Sequence, residues 1–263
     1  ENIGVAGVTS DNREVESGFL FVCIKGGSFD GHSVAAKMIE NGACAVVTQE
    51  KLGLDREINI MNSRRMYPEL LSRFYGNPTR KFKLCAVTGT NGKTTVVNIC
   101  AQITRLLGHR TGVIGTLGTD TGGCLSYSHD GPPTTPEPRR LYQLFAQMAE
   151  ENTEYCFIEA SSQALAQYRF AADNFAVGAF TNLTRDHLDY HGTIGNYFAA
   201  KQMLFDMCDN AVVNIDDEYG RKIAEYCHEK GVPLKTISVD GKADFYTEFV
   251  KLAAHKSEFI LTD

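Results

Sequence analysis

No two of the eight cysteines stand in a C-x-x-C spacing. Cys23, Cys44, Cys85, Cys100, Cys124, Cys156, Cys208 and Cys227 are scattered along the chain, which argues against a structural zinc site and for free thiols in a reducing cytoplasm. Excess positive charge is also missing. Lys plus Arg number 26 against 32 for Asp plus Glu, a formal charge of -6, so nothing draws the chain broadly to nucleic acid or to an anionic membrane face. An anionic ligand must be held by local cations. No apolar run approaches the roughly 18 residues that a membrane-spanning helix needs, and the chain opens with Glu1-Asn2 rather than a basic and then apolar leader. The expectation is a cytoplasmic protein that binds small molecules, acts as a monomer and does not insert into a membrane. There is no initiator methionine, and the last apolar stretch stops two residues from the end; the sequence reads as a piece of a longer protein.

What is present is a folded α/β composition, 43% hydrophobic with 24 glycines and 7 prolines in 263 residues, enough for one large domain or two modest ones. Residues 84–95 read LCAVTGTNGKTT, an apolar strand running into a glycine-rich turn, with a helical pattern over 96–107 behind it. That order makes a phosphate cradle: backbone N–H groups and a helix N-terminus face oxyanions, Lys93 adds a point charge and Thr94 offers a hydroxyl to Mg2+. The strict G-x-x-x-x-G-K-[ST] pattern would need glycine at Val87, so the match is a shortened one whose strand and helix context carries the reading.

Around this loop the pattern alternates. Residues 19–24 read as a strand, 25–32 as a loop, 34–41 as a short helix stopped by Gly42, and 43–48 as a strand. A strand pair is expected around 58–61, then a helix near 66–75 halted by Gly76-Asn77-Pro78. The polar stretch 79–81 divides a domain at 1–80 from one at 81–263. Beyond the phosphate loop, strands are expected at 111–114, 155–159, 175–181, 211–214 and 234–239, and helices at 137–151, 194–205 and 219–230. A long glycine-rich excursion is expected at 115–133, and a closing hairpin at 249–252 and 258–261. Such alternation predicts an α/β fold with a mostly parallel sheet covered on both faces, and functional residues beyond the carboxyl ends of its strands.

Three segments could carry chemistry there. Glu159 ends an apolar strand, where a ligand to Mg2+ or its bound water is expected. Residues 181–191, TNLTRDHLDYH, crowd an imidazole and carboxylates beside a strand end; that set can bind a divalent cation or simply cap a helix. Residues 134–137, TTPE, read as a helix start with Thr135 as cap and Pro136 in the first turn, though the two hydroxyls could equally meet a substrate. The loops at 9–13 and 26–32 are polar, and their glycines allow close backbone approach to a ligand.

Taken together, TGTNGKTT at 88–95, TTPE at 134–137, EASSQAL at 159–165, TNLTRDHLDYHG at 181–192 and AKQMLF at 200–205 resemble the Mur ligase family over essentially the whole chain. The likeness is strongest to members that add the third residue of the peptidoglycan stem peptide. The resemblance implies an amino-terminal UDP-sugar-binding domain and an incomplete central P-loop ATPase domain. It implies ATP-dependent amide formation on UDP-N-acetylmuramoyl-L-alanyl-D-glutamate with an amino acid as second substrate, through an acyl phosphate. Gly89, Thr90, Asn91, Gly92, Lys93, Thr94 and Thr95 would bind ATP, and Thr94, Glu159, His187 and a carbamylated Lys201 would hold Mg2+. Composition alone makes Lys201 a surface residue. Ser10, Asn12, Gly27, Ser28 and Phe29 would meet the uridine nucleotide, and Thr134, Thr135, Ser161, Gln167 and Arg169 the muramoyl dipeptide. The sequence departs from the family pattern at Asn12, where serine is common, and at Gln163, where histidine is common. A folylpolyglutamate-type ligase and a non-catalytic nucleotide-binding regulator are the rival readings.

Overall fold

The computed structural model describes residues 4–122, 125–126, 134–171, 175–239, 241–253 and 255–263. Strands β1 (Gly7–Thr9), β2 (Phe19–Val22), β3 (Ala45–Thr48) and β4 (Glu57–Asn59) form a parallel sheet in that order, with helices α1 (Ala35–Glu40) and α2 (Ser63–Phe74) completing the unit. Residues 58–61 supply one strand rather than the expected pair. The Glu57 carboxylate accepts the N–H groups of Leu52, Gly53 and Leu54, which closes the preceding segment as a turn and leaves only β4 to pair with β3. Helix α2 begins earlier than its apolar pattern because the Asn62 side chain accepts the Arg65 N–H and caps it.

The second sheet has ten strands. These are β5 (Lys83–Thr88), β6 (Thr111–Gly115), β7 (Gly118–Asp120), β8 (Leu125–Ser126), β9 (Tyr155–Glu159), β10 (Val177–Phe180), β11 (Ala211–Asn214), β12 (Leu234–Ser238), β13 (Phe245–Ala253) and β14 (Lys256–Thr262). Their order is β14-β13-β12-β11-β10-β5-β9-β6-β7-β8, parallel from β13 to β6 and antiparallel at both edges. The helices are α3 (Lys93–Leu106), α4 (Pro138–Glu150), α5 (Ser162–Ala166), α6 (Leu188–His191), α7 (Ile194–Gln202) and α8 (Glu218–Lys230).

Period-2 alternation explains the two covered faces. Leu84 and Ala86 of β5, with Cys156 and Ile158 of β9, join the core that includes Leu141, Phe145, Leu204 and Phe205. Val87 and Phe157 point the other way, onto Val97 and Ala101 of α3. The first core continues through Val8, Leu20, Val22, Tyr67 and Leu71, so apolar packing joins the small sheet to the large one.

Three further expectations need correction. Part of the 115–133 excursion is ordered sheet, because β7 folds back on β6 with Ile114 opposite Thr119; Cys124 and Gly131-Pro132-Pro133 lie outside the described residues. Helix α4 is capped by Glu137 with Pro138 at its start, rather than by Thr135 with Pro136. Proline suits that first position because its missing N–H has no helical acceptor to satisfy, while the Thr135 hydroxyl is committed elsewhere. The 194–205 helix breaks at Gln202 into a 3-10 turn, Met203–Asp206.

Candidate active site

Strand β5 lies between β10 and β9, where the winding of the sheet reverses, and the chain leaves it through Gly89 at φ +146° and Gly92 at φ +85°. Gly92 caps α3. The N–H groups of Lys93, Thr94 and Thr95 open that helix and have no acceptor within it, which leaves them for an anion. The exit of β10 pins the loop from outside. Thr90 N–H donates to the Asn182 carbonyl at 2.8 Å, Asn91 N–H to Asn182 Oδ1 at 3.0 Å, and Thr181 Oγ1 to the Asn91 carbonyl at 2.6 Å. A Cβ on Gly89 would fall 1.9 Å from Thr181 Oγ1. Replacing Gly89 with Ala is therefore expected to lower stability by about 2 kcal/mol, from backbone strain and the displaced threonine, seen as a lower melting temperature; an unchanged melt would contradict this packing.

Two lysines converge on the loop. Lys93 Nζ donates to the Gly89 and Thr90 carbonyls, each at 2.9 Å, and Lys201 Nζ donates to the same Gly89 carbonyl at 2.7 Å. Burial pushes the pKa of Lys93 down. Lys201, 1% exposed, is no surface residue. Burial first, and the Lys93 charge second, lower its pKa to about 7. Its ammonium lies 4.4 Å from the centre of the Tyr197 ring, and the Tyr197 hydroxyl meets Thr90 Oγ1 at 3.2 Å.

Beside the lysines, Glu159 is 1% exposed at the end of β9. Its Oε2 accepts from Thr94 Oγ1 at 2.8 Å and from Thr116 Oγ1 at 3.2 Å, and its Oε1 accepts from Thr116 N–H at 2.8 Å. Among the described residues no cation lies within ion-pair distance of this carboxylate. A buried anion with hydroxyl neighbours fits a hard, oxygen-seeking cation such as Mg2+. Mg2+ is commonly bound through one or two carboxylates, with phosphates and water completing its shell.

His187 caps α6 at φ 51°, half-exposed, with its Nε2 3.6 Å from Asp186 Oδ2. Its ring centre lies 6.1 Å from that of Tyr197, so it approaches the Lys201 side of the site. His191 is buried against Ser162 Oγ at 2.9 Å, and burial, with the charge of Lys201, holds its pKa down.

A cleft of about 250 Å³ runs between the two sheets. Its walls bring Ser10, Ser28 and Phe29 of the small unit to face Gln167 and Arg169 of the large one, with Gly26, Ile24, Arg64, Tyr67, Glu137 and Pro138 between them. Asn12 and Gly27 are not among the lining residues. Arg169 pairs with Glu137 at 2.5 Å and donates to Gln167 Oε1 and to the Thr135 carbonyl. Thr135 is fully buried, and its hydroxyl donates to the Glu159 carbonyl at 2.6 Å. It acts as a brace between cleft and carboxylate. Ser161 Oγ caps α5 through Ala164 N–H, and Thr134 Oγ1 lies 3.1 Å from Thr116 Oγ1.

Sequence reading missed Thr116 and Tyr197. Thr116 follows the carboxyl end of a parallel strand, the place where such folds bind ligands, and Tyr197 stands one helical turn before Lys201 on the same face. Both signals were in the sequence.

Residues 87–263 match the model of the Mur ligase middle domain, and residues 4–75 match that of the Mur ligase family catalytic domain. The chain is 39% identical over 264 residues to the UDP-N-acetylmuramoyl-L-alanyl-D-glutamate–2,6-diaminopimelate ligase of Clostridium perfringens, covering 98% of this chain and 54% of that protein. The ligase of the same name from Geobacillus kaustophilus is 38% identical, with 99% and 54% covered. A solved structure of a ligase with that name superposes with a TM-score of 0.85 at 28% identity, over 98% of this chain and 53% of that one. A folylpolyglutamate synthase of Mycobacterium tuberculosis complexed with ADP shares the fold alone, with a TM-score of 0.57 at 17% identity, over 74% of this chain and 50% of that one. The chain thus spans about half the length of the curated relatives it matches. The middle-domain model alone matches more than half of the chain, and with it the family is established: the chain belongs to the Mur ligase family.

Proposed function

We propose that this chain supplies the nucleotide-sugar and ATP sites of a ligase that adds a third amino acid to UDP-N-acetylmuramoyl-L-alanyl-D-glutamate. The names of the relatives make 2,6-diaminopimelate the proposed amine. The observation that carries the reading is the cluster of Lys93, Thr94, Glu159 and Lys201 around one phosphate-type loop, next to a cleft shared by both sheets.

In this reading, residues 89–95 bind ATP: the free N–H groups and Lys93 hold the phosphates, and Gly89 and Gly92 let the backbone approach them. Thr94 and Glu159 would hold Mg2+, with His187 and Lys201 beside them; the ion when bound offsets the charge of the phosphate oxygens. Ser10, Ser28 and Phe29 would receive the uridine nucleotide, with Asn12 and Gly27 next to them. Thr134, Ser161, Gln167 and Arg169 would orient the peptide end of the substrate, braced by Thr135. The D-glutamate carboxylate attacks the γ-phosphorus of ATP to give an acyl phosphate and ADP, and the incoming amine then displaces phosphate to form the amide. Juxtaposing two anions is the hard step, and Lys93 lowers their repulsion. The proposed setting is the cytoplasm, with the protein acting as a monomer and its 263 residues binding both nucleotides with little turnover of their own.

Lys201 is proposed to be carbamylated. A pKa of about 7 leaves much of its amine neutral near physiological pH, and the neutral amine is the form that attacks CO2, giving an anion beside the proposed metal site after loss of a proton. Under 13C-labelled CO2, a carbamate signal should grow between pH 6 and pH 8 and vanish in Lys201→Ala. A signal that is absent, or that survives the substitution, would refute the modification.

Calorimetric titration with UDP-N-acetylmuramoyl-L-alanyl-D-glutamate tests the function. Binding is expected; a chain that binds ATP but not this nucleotide sugar would instead favour a folylpolyglutamate-type ligase or a nucleotide-binding regulator.

A further inference from the structure

Arg64 lies in the first turn of α2 and lines the cleft beside Ser28, Phe29 and Tyr67. Its guanidinium is held from behind, with Nη2 donating to the Lys25 carbonyl at 2.6 Å. That carbonyl belongs to a closed loop: Lys25 bridges to Asp30, and Gly26 N–H donates to the Phe29 carbonyl at 2.7 Å. Arg64 is thus oriented by the same loop that carries Ser28 and Phe29.

Its charge is not balanced. The other guanidinium of the cleft, Arg169, has Glu137 at 2.5 Å, whereas among the described residues no carboxylate lies within ion-pair distance of Arg64. A guanidinium has five N–H donors in a planar fork that matches phosphate oxygens in pairs. With the Lys25 contact already made, further donors remain for a ligand, and little side-chain freedom is left to lose on binding.

We propose that Arg64 binds the diphosphate of the nucleotide sugar, the doubly anionic bridge between uridine and sugar; this assignment rests on the nucleotide-sugar reading above. Ser10, Ser28 and Phe29 then take the uridine side, and Gln167 and Arg169 the far end. Arg64 makes the cleft selective for a nucleoside diphosphate over a bare nucleoside.

The rival role is a clasp, in which Arg64 only secures the 25–30 loop through the Lys25 carbonyl. Uridine, followed by ligand-observed NMR, and UDP and UDP-N-acetylmuramoyl-L-alanyl-D-glutamate, followed by calorimetry, separate the two on the 263-residue chain. In Arg64→Ala, affinity for both diphosphates should fall about ten- to a hundredfold, as for loss of charge-assisted hydrogen bonds, with uridine affinity unchanged. Arg64→Lys should recover part of the loss, and its use keeps the test valid should Arg64→Ala fold poorly. Unchanged ATP affinity reports that each variant is folded. Equal losses for uridine and UDP would leave only the clasp, and unchanged UDP affinity would exclude phosphate contact; either overturns the assignment while the nucleotide-sugar reading stands. A wild-type chain that binds ATP but no uridine ligand would overturn both.

Discussion

Replacing Lys93 with methionine is expected to weaken binding of ATP with Mg2+ by about two to three orders of magnitude, roughly the 3–4 kcal/mol that one oriented donor to developing or fixed negative charge supplies. The melting temperature should stay close to that of the unmodified chain. Lys93 is a partly buried cation whose pKa is lowered by that burial, so its charge contributes little to the empty fold. Among the described residues it gives up two hydrogen bonds, to the Gly89 and Thr90 carbonyls, and the attraction of the Glu159 and Asp186 carboxylates, while Gly89 keeps its bond from Lys201. Methionine preserves the length and apolar stem of the side chain. Calorimetry and a thermal melt on the same variant check both halves. Near-normal ATP affinity would remove Lys93 from the site, and a collapsed melting temperature would make it a structural residue.

The second large effect concerns the buried carboxylate. In Glu159→Gln, Mg2+ should lose most of its ability to tighten ATP binding, a deficit of about ten- to a hundredfold for loss of a charged ligand in a desolvated site. The fold should tolerate this change. Glu159 has hydroxyl and amide donors around it and, among the described residues, no cationic partner, so an amide of the same shape leaves no orphaned charge behind. The carboxamide oxygen can keep the Thr116 N–H bond, and the Thr94 and Thr116 hydroxyls can turn to suit the new NH2 group. ATP titrations over a range of Mg2+ concentrations check it: an identical Mg2+ dependence in both proteins would show that the cation is held elsewhere.

How far the sequence led depends on the kind of signal. Strand β9, strand β11 and the Gly231 stop of α8 were legible because period and glycine chemistry are local. The strand, glycine turn and helix around Lys93 were legible for the same reason, being contiguous. The cap of α4 was misjudged because a tertiary contact decided it, the Thr135 hydroxyl being drawn across to the Glu159 carbonyl. The β6–β7 hairpin was hidden by glycines that look like loop but give the tight turn its freedom, with Gly118 at φ +130°. Lys201 is the clearest limit. Nothing in its helical neighbourhood announces burial; only the fold carries its ammonium to the Gly89 carbonyl, 112 residues away in sequence. The resemblance singled it out, and a pKa lowered to about 7 is what the proposed carbamylation needs.

The central claim is that the turn after β5 cradles the phosphates of ATP. The most direct measurement is the amide spectrum of the 15N-labelled chain titrated with a non-hydrolysable ATP analogue and Mg2+. Saturable shifts are expected first and largest at Gly92, Lys93, Thr94 and Thr95, whose N–H groups open α3 toward the loop. If those four amides stay fixed while the analogue is added to saturation, the cradle does not hold ATP and the proposed ligase chemistry has no phosphoryl donor at this site.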